Sequence, residues 1–203
     1  MNHAIQCRCG QLQGSVSHPD KAVRAVCYCR DCQAYAHALG GAAGTLDALG
    51  GTEVEATQAK YVRFTTSGSL ACMSLSPNGL LRWYASCCNT PVANTPRNFN
   101  MPYVGLVHTC IAGPAAAVER DFGRVRMRVQ KKGAHGRVPD DGDSVARTML
   151  GFMPALALTR LLGGHRDSPF FDRAGAPIVA PRVLTREERA QAMQAAQAAP
   201  TAG

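Results

Sequence analysis

The sequence has few aromatic residues and no long apolar run. Phenylalanine, tyrosine and tryptophan make up only 6% of its 203 residues, whereas glycine occurs 20 times. That balance favours a β-rich, turn-rich body over a helical bundle. The longest apolar run, residues 148–159, contains Pro154. It is shorter than the roughly 20 residues that a bilayer-spanning helix needs, so we expect no membrane association.

The first residues lack the features of a secretory signal. Residues 1–6 contain neither a cationic segment nor an apolar segment of the required kind. The cysteine total, nine, is odd, which leaves at least one thiol outside any set of internal disulfides. We therefore expect a cytoplasmic protein in a reducing compartment, with disulfides between some cysteines as an alternative. Nothing in the sequence specifies an oligomeric state.

Seven of the nine cysteines are concentrated in three short segments. These segments are Cys7-x-Cys9-Gly10, Cys27-x-Cys29-x-x-Cys32 and the adjacent pair Cys87 and Cys88. The remaining two, Cys72 and Cys110, stand alone beside apolar residues, and we expect both to be small buried hydrophobic side chains.

The spacing of the clustered cysteines predicts bound metal. Thiolates are soft ligands that suit zinc, copper(I) or iron–sulfur clusters, and a ferredoxin-type run of four cysteines is missing. Short spacings let one tight turn direct two sulfurs at one ion. We therefore predict a four-ligand zinc site and a three-ligand zinc site that leaves one position for water or a substrate thiol. The four-ligand site comprises Cys7, Cys9 and Cys88, with Cys87 as the candidate fourth ligand, and the three-ligand site comprises Cys27, Cys29 and Cys32. A metal with a purely structural role is the alternative.

Hydropathy alternation predicts a mainly β fold, a small antiparallel assembly with the cysteine turns at strand ends. Strands are predicted near residues 11–17, 23–26, 61–66, 70–75, 80–84 and 104–107, with a short helix at 33–39 and an irregular stretch at 91–102. We divide the chain into a zinc-binding domain, residues 1–115, and a basic, partly helical extension, residues 116–203, that packs on it or trails from it.

The extension has its own predicted elements. Residues 124–129 alternate like a strand with one cationic face, although a helix over residues 115–129 is possible. Ser144 is a candidate N-cap for a helix reaching about Leu162, and Thr185 is a candidate N-cap for a last helix. Residues 170–175 are predicted to form an exposed turn.

The three cysteine segments, in this order, resemble those of the glutathione-dependent formaldehyde-activating enzyme family, here called GFA-like, which includes relatives of centromere protein V. The matching motifs are C-x-C-G at residues 7–10, C-x-C-x-x-C at residues 27–32 and C-N-T-P at residues 88–91, within a resemblance spanning residues 5–110. The resemblance implies a zinc β-tent fold, a structural zinc on the first and third segments and a labile zinc on the middle one. The long extension suggests an uncharacterised subfamily.

The third segment departs from the family pattern. Ala85 stands where the family has its first cysteine, and Asn89 stands where it has glycine. The fourth structural ligand could then be Cys87, a histidine or water, or the structural site is lost. Adjacent cysteines can reach one ion only through a special backbone turn, and an alternative is that Cys87 and Cys88 form a redox pair.

An open zinc can lower the pKa of a bound thiol or polarise a carbonyl. The resemblance therefore implies a carbon–sulfur lyase, or adduct chemistry between a small thiol such as glutathione and a small aldehyde, at a catalytic zinc held by Cys27, Cys29 and Cys32. Asp31 and His37 are candidates for proton transfer, although Asp31 could simply cap a turn and His37 could lie on a solvated helix face. Arg30 or the cations of residues 120–137 could attract the carboxylates of glutathione.

The competing hypothesis is a zinc-built module that binds nucleic acid or protein without catalysis. The net charge is +8, and residues 120–137 carry seven cations against Asp121 alone. Contacts to nucleic acid would come from Arg124, Arg126, Arg128, Lys131 and Lys132. Because no aromatic residues interleave with these cations to stack on bases, a solvated surface is the favoured interpretation.

Overall fold

A computed structural model describes residues 2–198. Within that span the chain is mainly β with helices packed on the sheets, which confirms the predicted class. The strands are β1 (Asn2–Gln6), β2 (Gln13–Ser17), β3 (Val23–Cys27), β4 (Thr52–Gln58), β5 (Val62–Thr66), β6 (Leu70–Ser74), β7 (Leu81–Ala85), β8 (Thr90–Thr95), β9 (Tyr103–Val107), β10 (Met127–Val129) and β11 (Arg182–Val183). The α-helices are α1 (Arg30–Ala38), α2 (Ala42–Thr45), α3 (Ala115–Phe122), α4 (Val145–Leu161) and α5 (Arg186–Ala195).

The strands form two sheets. A three-stranded sheet has the order β1-β2-β5, and an eight-stranded sheet has the order β10-β3-β4-β9-β8-β7-β6-β11. Neighbours are antiparallel except for the two outermost strands of the large sheet, which pair in parallel with β3 and β6. Both of these edge strands come from the extension, so residues 116–198 complete the large sheet on its two sides.

Strand β7 illustrates how side-chain alternation divides the large sheet into two faces. Leu81 and Trp83 point into the main core, where the indole is fully buried and its Nε1 donates to Thr95 Oγ1 at 2.9 Å. Arg82 lies between them in sequence and therefore points to the opposite face. That opposite face carries α1, whose Tyr35 donates its hydroxyl to the Trp83 carbonyl at 2.8 Å. Helix α1 is in turn covered by α5.

Two local predictions are wrong in part, because residues 96–102 do lie outside the strands and helices and residues 172–175 do form a turn. Residues 91–102 were predicted to be irregular because of their prolines, but β8 occupies Thr90–Thr95, where Pro91 sits at the strand start beside a register shift. Residues 170–175 were predicted to be an exposed turn, but Phe170 is completely buried against Trp83, with ring centroids 5.1 Å apart. Phe171 is buried as well.

Several other boundaries agree with the sequence. Ser144 is the N-cap residue of α4, although its side chain makes no capping bond, and Thr185 begins α5 with a reciprocal capping box to Glu188. Residues 115–129 divide into α3 and the strand β10. Within residues 2–198, no helix combines the length and the hydropathy that crossing a membrane requires.

Candidate metal centres

The first cysteine group brings together two turns from distant parts of the chain. Cys7 and Cys9 lie in the turn between β1 and β2, and Cys87 and Cys88 lie in the turn between β7 and β8. All four sulfur atoms lie within 4.8 Å of one another. Neighbouring sulfurs are 3.2–3.8 Å apart. A tetrahedral ion with metal–sulfur bonds of about 2.3 Å would separate its sulfurs by about 3.8 Å, so this group could hold a metal.

Hydrogen bonds from the surrounding turns favour thiolates in this four-cysteine site. The Leu12 amide donates to Cys7 Sγ at 3.3 Å, and the Thr90 hydroxyl lies 3.0 Å from Cys88 Sγ. Burial raises the pKa of Cys88, but bonds from Thr90 and from the Cys9 amide outweigh it and lower the pKa to about 6. Burial and the Cys88 thiol raise the pKa of Cys7, but the Leu12 amide and the thiols of Cys9 and Cys87 outweigh them and lower it.

The special turn required by the adjacent cysteines is present. Asn89 follows them with φ of 53°, a left-handed conformation that asparagine tolerates better than most residues and that glycine adopts freely. Ala85 is fully buried in β7 and contributes to the main core instead of to the metal group. The Cys87 sulfur therefore lies with the other three, and the four-sulfur group forms without a contribution from residue 85.

The second cysteine group is built where β3 leads into α1. Cys27 ends the strand, Cys29 is the N-cap of the helix, and Cys32 lies in its first turn. The Cys32 amide donates to Cys29 Sγ at 3.3 Å, and the three sulfurs lie within 4.8 Å of one another. The helix N-terminus provides unpaired amides and a positive dipole end, both of which stabilise thiolates. This three-cysteine site could also hold a metal.

A buried arginine faces the three-cysteine site. Arg82 is only 2% exposed, and its Nη1 lies 3.7 Å from Cys32 Sγ and 3.0 Å from Asn94 Oδ1. Its guanidinium carbon also lies 5.2 Å from the centroid of the Tyr35 ring, a cation–π distance. A buried cation costs free energy unless it is paired, so this position indicates a negative partner at the cysteines.

The electrostatics concentrate negative charge on Cys32. Interactions with Cys27 and Cys29 hold the pKa of Cys32 well below its usual range, burial opposes this, and Arg82 lowers the pKa further. The pKa of Cys27 changes in the opposite direction: its bonds to the other two thiols and its burial raise it. Tyr103 adds a neutral phenol near the group, because burial and the charge of Cys32 raise its pKa.

The comparisons with known proteins identify a family but no activity. Residues 2–181 match a family of unknown function (DUF6151). The protein belongs to this family. No curated protein matches the chain.

Arg82, Asn94 and Tyr103 were missed by the sequence analysis. Arg82 did carry a signal, since it is a single charged residue inside the apolar strand Leu81–Ala85. Asn94 and Tyr103 carried none, because their relation to the cysteines depends on strand pairing: Asn94 pairs with Arg82 on β7 and with Gly105 on β9. Tyr103 lies two residues before Gly105, on the same face.

The two residues predicted to transfer protons, Asp31 and His37, lie in different environments. Asp31 is exposed in the first turn of α1. His37 lies five residues after Cys32, about 140° around the helix. It lines a separate cavity of about 500 Å³ with Asp47 and His135, and burial followed by the charge of His135 lowers its pKa.

The basic segment is largely neutralised by a short acidic loop. Arg124 and Arg126 pair with Asp143, at 2.6 Å and 3.2 Å. Two further pairs, each at 2.7 Å, join Arg128 to Asp141 and Lys131 to Asp140. Four of the five residues proposed to contact nucleic acid therefore already have carboxylate partners. Nucleic-acid binding stays a prediction, and these pairs weaken the argument for it.

Proposed function

We propose that this protein is a GFA-like zinc protein with a β-tent fold. In this proposal the four-cysteine site holds a structural zinc, and the three-cysteine site holds a reactive zinc. The activity would be that of a carbon–sulfur lyase, or the formation of adducts between a small thiol such as glutathione and a small aldehyde. The single observation that carries the proposal is the difference in ligand number: four thiols meet at one site, and three thiols beside a buried arginine meet at the other.

The donor sets suit this assignment. Thiolate groups of three or four sulfurs are typical of zinc, and the sulfur separations of the four-cysteine site match a tetrahedral ion. A zinc ion held by three thiolates keeps one position at which it lowers the pKa of an added thiol or polarises a carbonyl. The cysteine turns at strand ends of a mainly antiparallel sheet also support the GFA-like fold.

The residues around the three-cysteine site have separate roles in this proposal. Three thiolates and a dication together carry one net negative charge, which Arg82 offsets. Asn94 accepts a hydrogen bond from the guanidinium of Arg82 and so holds it in position. Tyr103 is half-buried, its phenol is neutral, and it is the candidate donor to an aldehyde oxygen. In the reaction, the thiol sulfur bonds to the aldehyde carbon and the thiol proton ends on the oxygen. Lyase activity is the reverse of this step, so no oxidant or reductant is needed.

The test is the rate at which the adduct of glutathione and formaldehyde forms and breaks, followed by exchange NMR with the reduced, zinc-loaded protein. We expect acceleration over the buffer, loss of that acceleration in Cys29→Ser, and a drop of about tenfold to a hundredfold in Tyr103→Phe. Tyr61→Phe is the matched control, because Tyr61 contacts Lys21 and Lys60 instead of the cysteines. An intact Cys29→Ser rate would contradict the proposal.

The competing function is a non-catalytic module in which both zinc ions are structural. It predicts no acceleration of the adduct reaction and no exchange of thiols at the three-cysteine site. If it also bound nucleic acid, affinity would fall steeply with salt, since phosphate contacts release counterions. The neutralised basic segment makes this the second choice.

A further inference from the structure

A cavity of about 530 Å³ lies away from both cysteine groups, where α4 passes over the start of β3 and the end of β4. Val23, at the end of β3 opposite to Cys27, lines it together with Gln58 of β4 and Phe152 of α4. Its volume is within the range of about 300–1,000 Å³ that is typical of small-molecule sites.

Cations dominate the rim of this cavity. Four of them, Lys21, Lys60, Arg126 and Arg147, line it against a single carboxylate, Asp20. Arg126 pairs with Asp143, but the other three make no ion pair within residues 2–198. This cavity therefore carries unneutralised positive charge, in contrast to the surface that Arg124 and Arg128 share with the acidic loop.

Two of these cations converge on one ring. Lys21 Nζ and Lys60 Nζ lie 5.8 Å and 5.1 Å from the centroid of Tyr61. Each contact is a cation–π interaction, and both ammonium groups also line the cavity. A ligand with more than one negative charge could therefore meet both cations.

The floor of the cavity supplies a buried hydroxyl that has no partner. Thr148, in α4, is 2% exposed, and its Oγ1 makes no hydrogen bond within the described residues. A second buried threonine of α4, Thr159, does have hydrogen-bond partners: its hydroxyl accepts from Lys60 Nζ at 2.9 Å and donates to Gln58. A buried polar group without a partner costs about 1–3 kcal/mol, so a ligand that reached the Thr148 hydroxyl would gain a hydrogen bond that the protein alone does not make.

We propose that this cavity binds a phosphate group attached to an apolar moiety. The phosphate would lie among Lys21, Lys60 and Arg147, with Thr148 beneath it, and the apolar part would lie against Phe152 and Leu158. The phosphate could belong to a free small molecule or to a lipid headgroup. The second source is suggested by the part of α4 outside the cavity, where Leu150 and Leu161 are 76% and 82% exposed.

The test uses the full-length protein and two probes. Isothermal titration calorimetry with phenyl phosphate measures binding of a free ligand, and sedimentation with phosphatidylcholine vesicles, with and without phosphatidic acid, measures binding of a headgroup. Arg147→Gln should weaken the binding of whichever of the two probes binds the wild-type protein by about tenfold. Arg160→Gln is the matched control, since Arg160 is exposed on the same helix but lies outside the cavity, and it should change affinity less than twofold.

Thr148→Val separates a ligand contact from a packing effect. Removing an unpartnered buried hydroxyl should leave the melting temperature equal or higher, yet weaken binding several-fold. Saturable binding of either probe, with this pattern of variants, supports the proposal and identifies the source of the phosphate. The proposal is overturned if neither probe binds, or if Arg147→Gln and Arg160→Gln weaken binding equally, which would indicate diffuse surface charge only.

Discussion

The two cysteine groups differ in how they stabilise negative charge. In the four-cysteine site the stabilisation comes from amides and a hydroxyl of the two turns, and Cys9 and Cys87 are exposed. In the three-cysteine site it comes from a helix N-terminus and a buried guanidinium, and Cys32 is buried. The first arrangement joins two hairpins that are about 80 residues apart, as the Cys7 and Cys87 contact shows. The second joins only one strand to the helix that follows it.

This contrast predicts different roles for metal ions bound at the two cysteine groups. A metal between two hairpins contributes to folding, because the unfolded chain does not hold its four ligands together. A metal in the local three-cysteine group constrains little of the fold, and its missing fourth ligand leaves a position for chemistry. The predictions below set the two groups against each other, beginning with the largest expected effect.

The largest difference should appear between Cys9→Ser and Cys29→Ser. Neither side chain is fully buried, so each change removes a ligand without opening the core. We expect Cys9→Ser to lose one metal ion and more than about 4 kcal/mol of unfolding free energy, since structural metal binding is folding free energy. Cys29→Ser should lose the other ion and less than about half as much stability. Metal analysis and urea unfolding check this. Equal losses of unfolding free energy in the two variants would contradict different roles for the two sites.

The next effect concerns the buried guanidinium. Arg82→Met should destabilise the protein by about 3–5 kcal/mol, because it removes the partner of the Cys32 thiolate and of Asn94. A chelator should also extract metal faster from the three-cysteine site and at an unchanged rate from the other site. Arg30→Met is the control with the same charge change on an exposed residue of α1, and it should cost less than about 0.5 kcal/mol.

The third effect concerns Glu55, a buried carboxyl group that lacks the partners Arg82 has. Glu55 is fully buried, both of its carboxylate oxygens lack hydrogen bonds, and Arg24 Nε lies 4.0 Å away. Burial, reinforced by Glu53, raises its pKa to about 8. The folded state therefore binds a proton that the unfolded state releases, and Glu55 should reduce stability as pH rises from about 4.5 to about 8.

Glu55→Gln should remove that pH dependence. Between pH 5.5 and pH 8.5 the wild-type protein should lose about 2–4 kcal/mol relative to the variant. Comparing the two proteins at each pH by urea unfolding cancels the pH effects of the cysteines, which both share. A difference that stays constant with pH would mean that Glu55 has partners that hold its charge.

The smallest effect tests the turn that allows Cys87 and Cys88 to reach one ion. Asn89→Gly should leave stability and metal content unchanged, because glycine adopts the left-handed conformation freely. Asn89→Ala should cost about 1 kcal/mol and loosen the four-cysteine site only. Thermal unfolding and chelator competition check both variants. An equal loss of stability in the two variants would show that the left-handed backbone conformation of residue 89 does not determine the stability of the four-cysteine site.

The sequence predicted the two cysteine groups because the C-x-C and C-x-x-C spacings are local. Cys27, Cys29 and Cys32 lie within one turn, and each half of the four-cysteine site does too, so only the joining of two turns had to be inferred. Strand alternation likewise predicted most strands, since period-two burial is visible in single segments.

The sequence could not predict features that depend on long-range pairing. Arg82 meets Cys32 because β7 lies under α1, and Phe170 is buried because a distant loop returns to Trp83. The strand β11 is too short to be recognised alone, and pairing with β6 is what makes it a strand. The strand β10 lies within the predicted segment 124–129, but its parallel pairing with β3 could not be predicted. The salt bridges of the basic segment depend on a loop about ten to twenty residues further on.

The most direct test of the account is the number of zinc ions per chain in reduced, purified protein, measured before and after excess glutathione, with Cys29→Ser alongside. The account predicts two ions, of which excess glutathione removes one, and that same ion is absent from Cys29→Ser. One firmly held ion that neither glutathione nor Cys29→Ser affects would contradict the reactive three-cysteine site. The absence of zinc under these conditions would contradict the metal assignment of both groups.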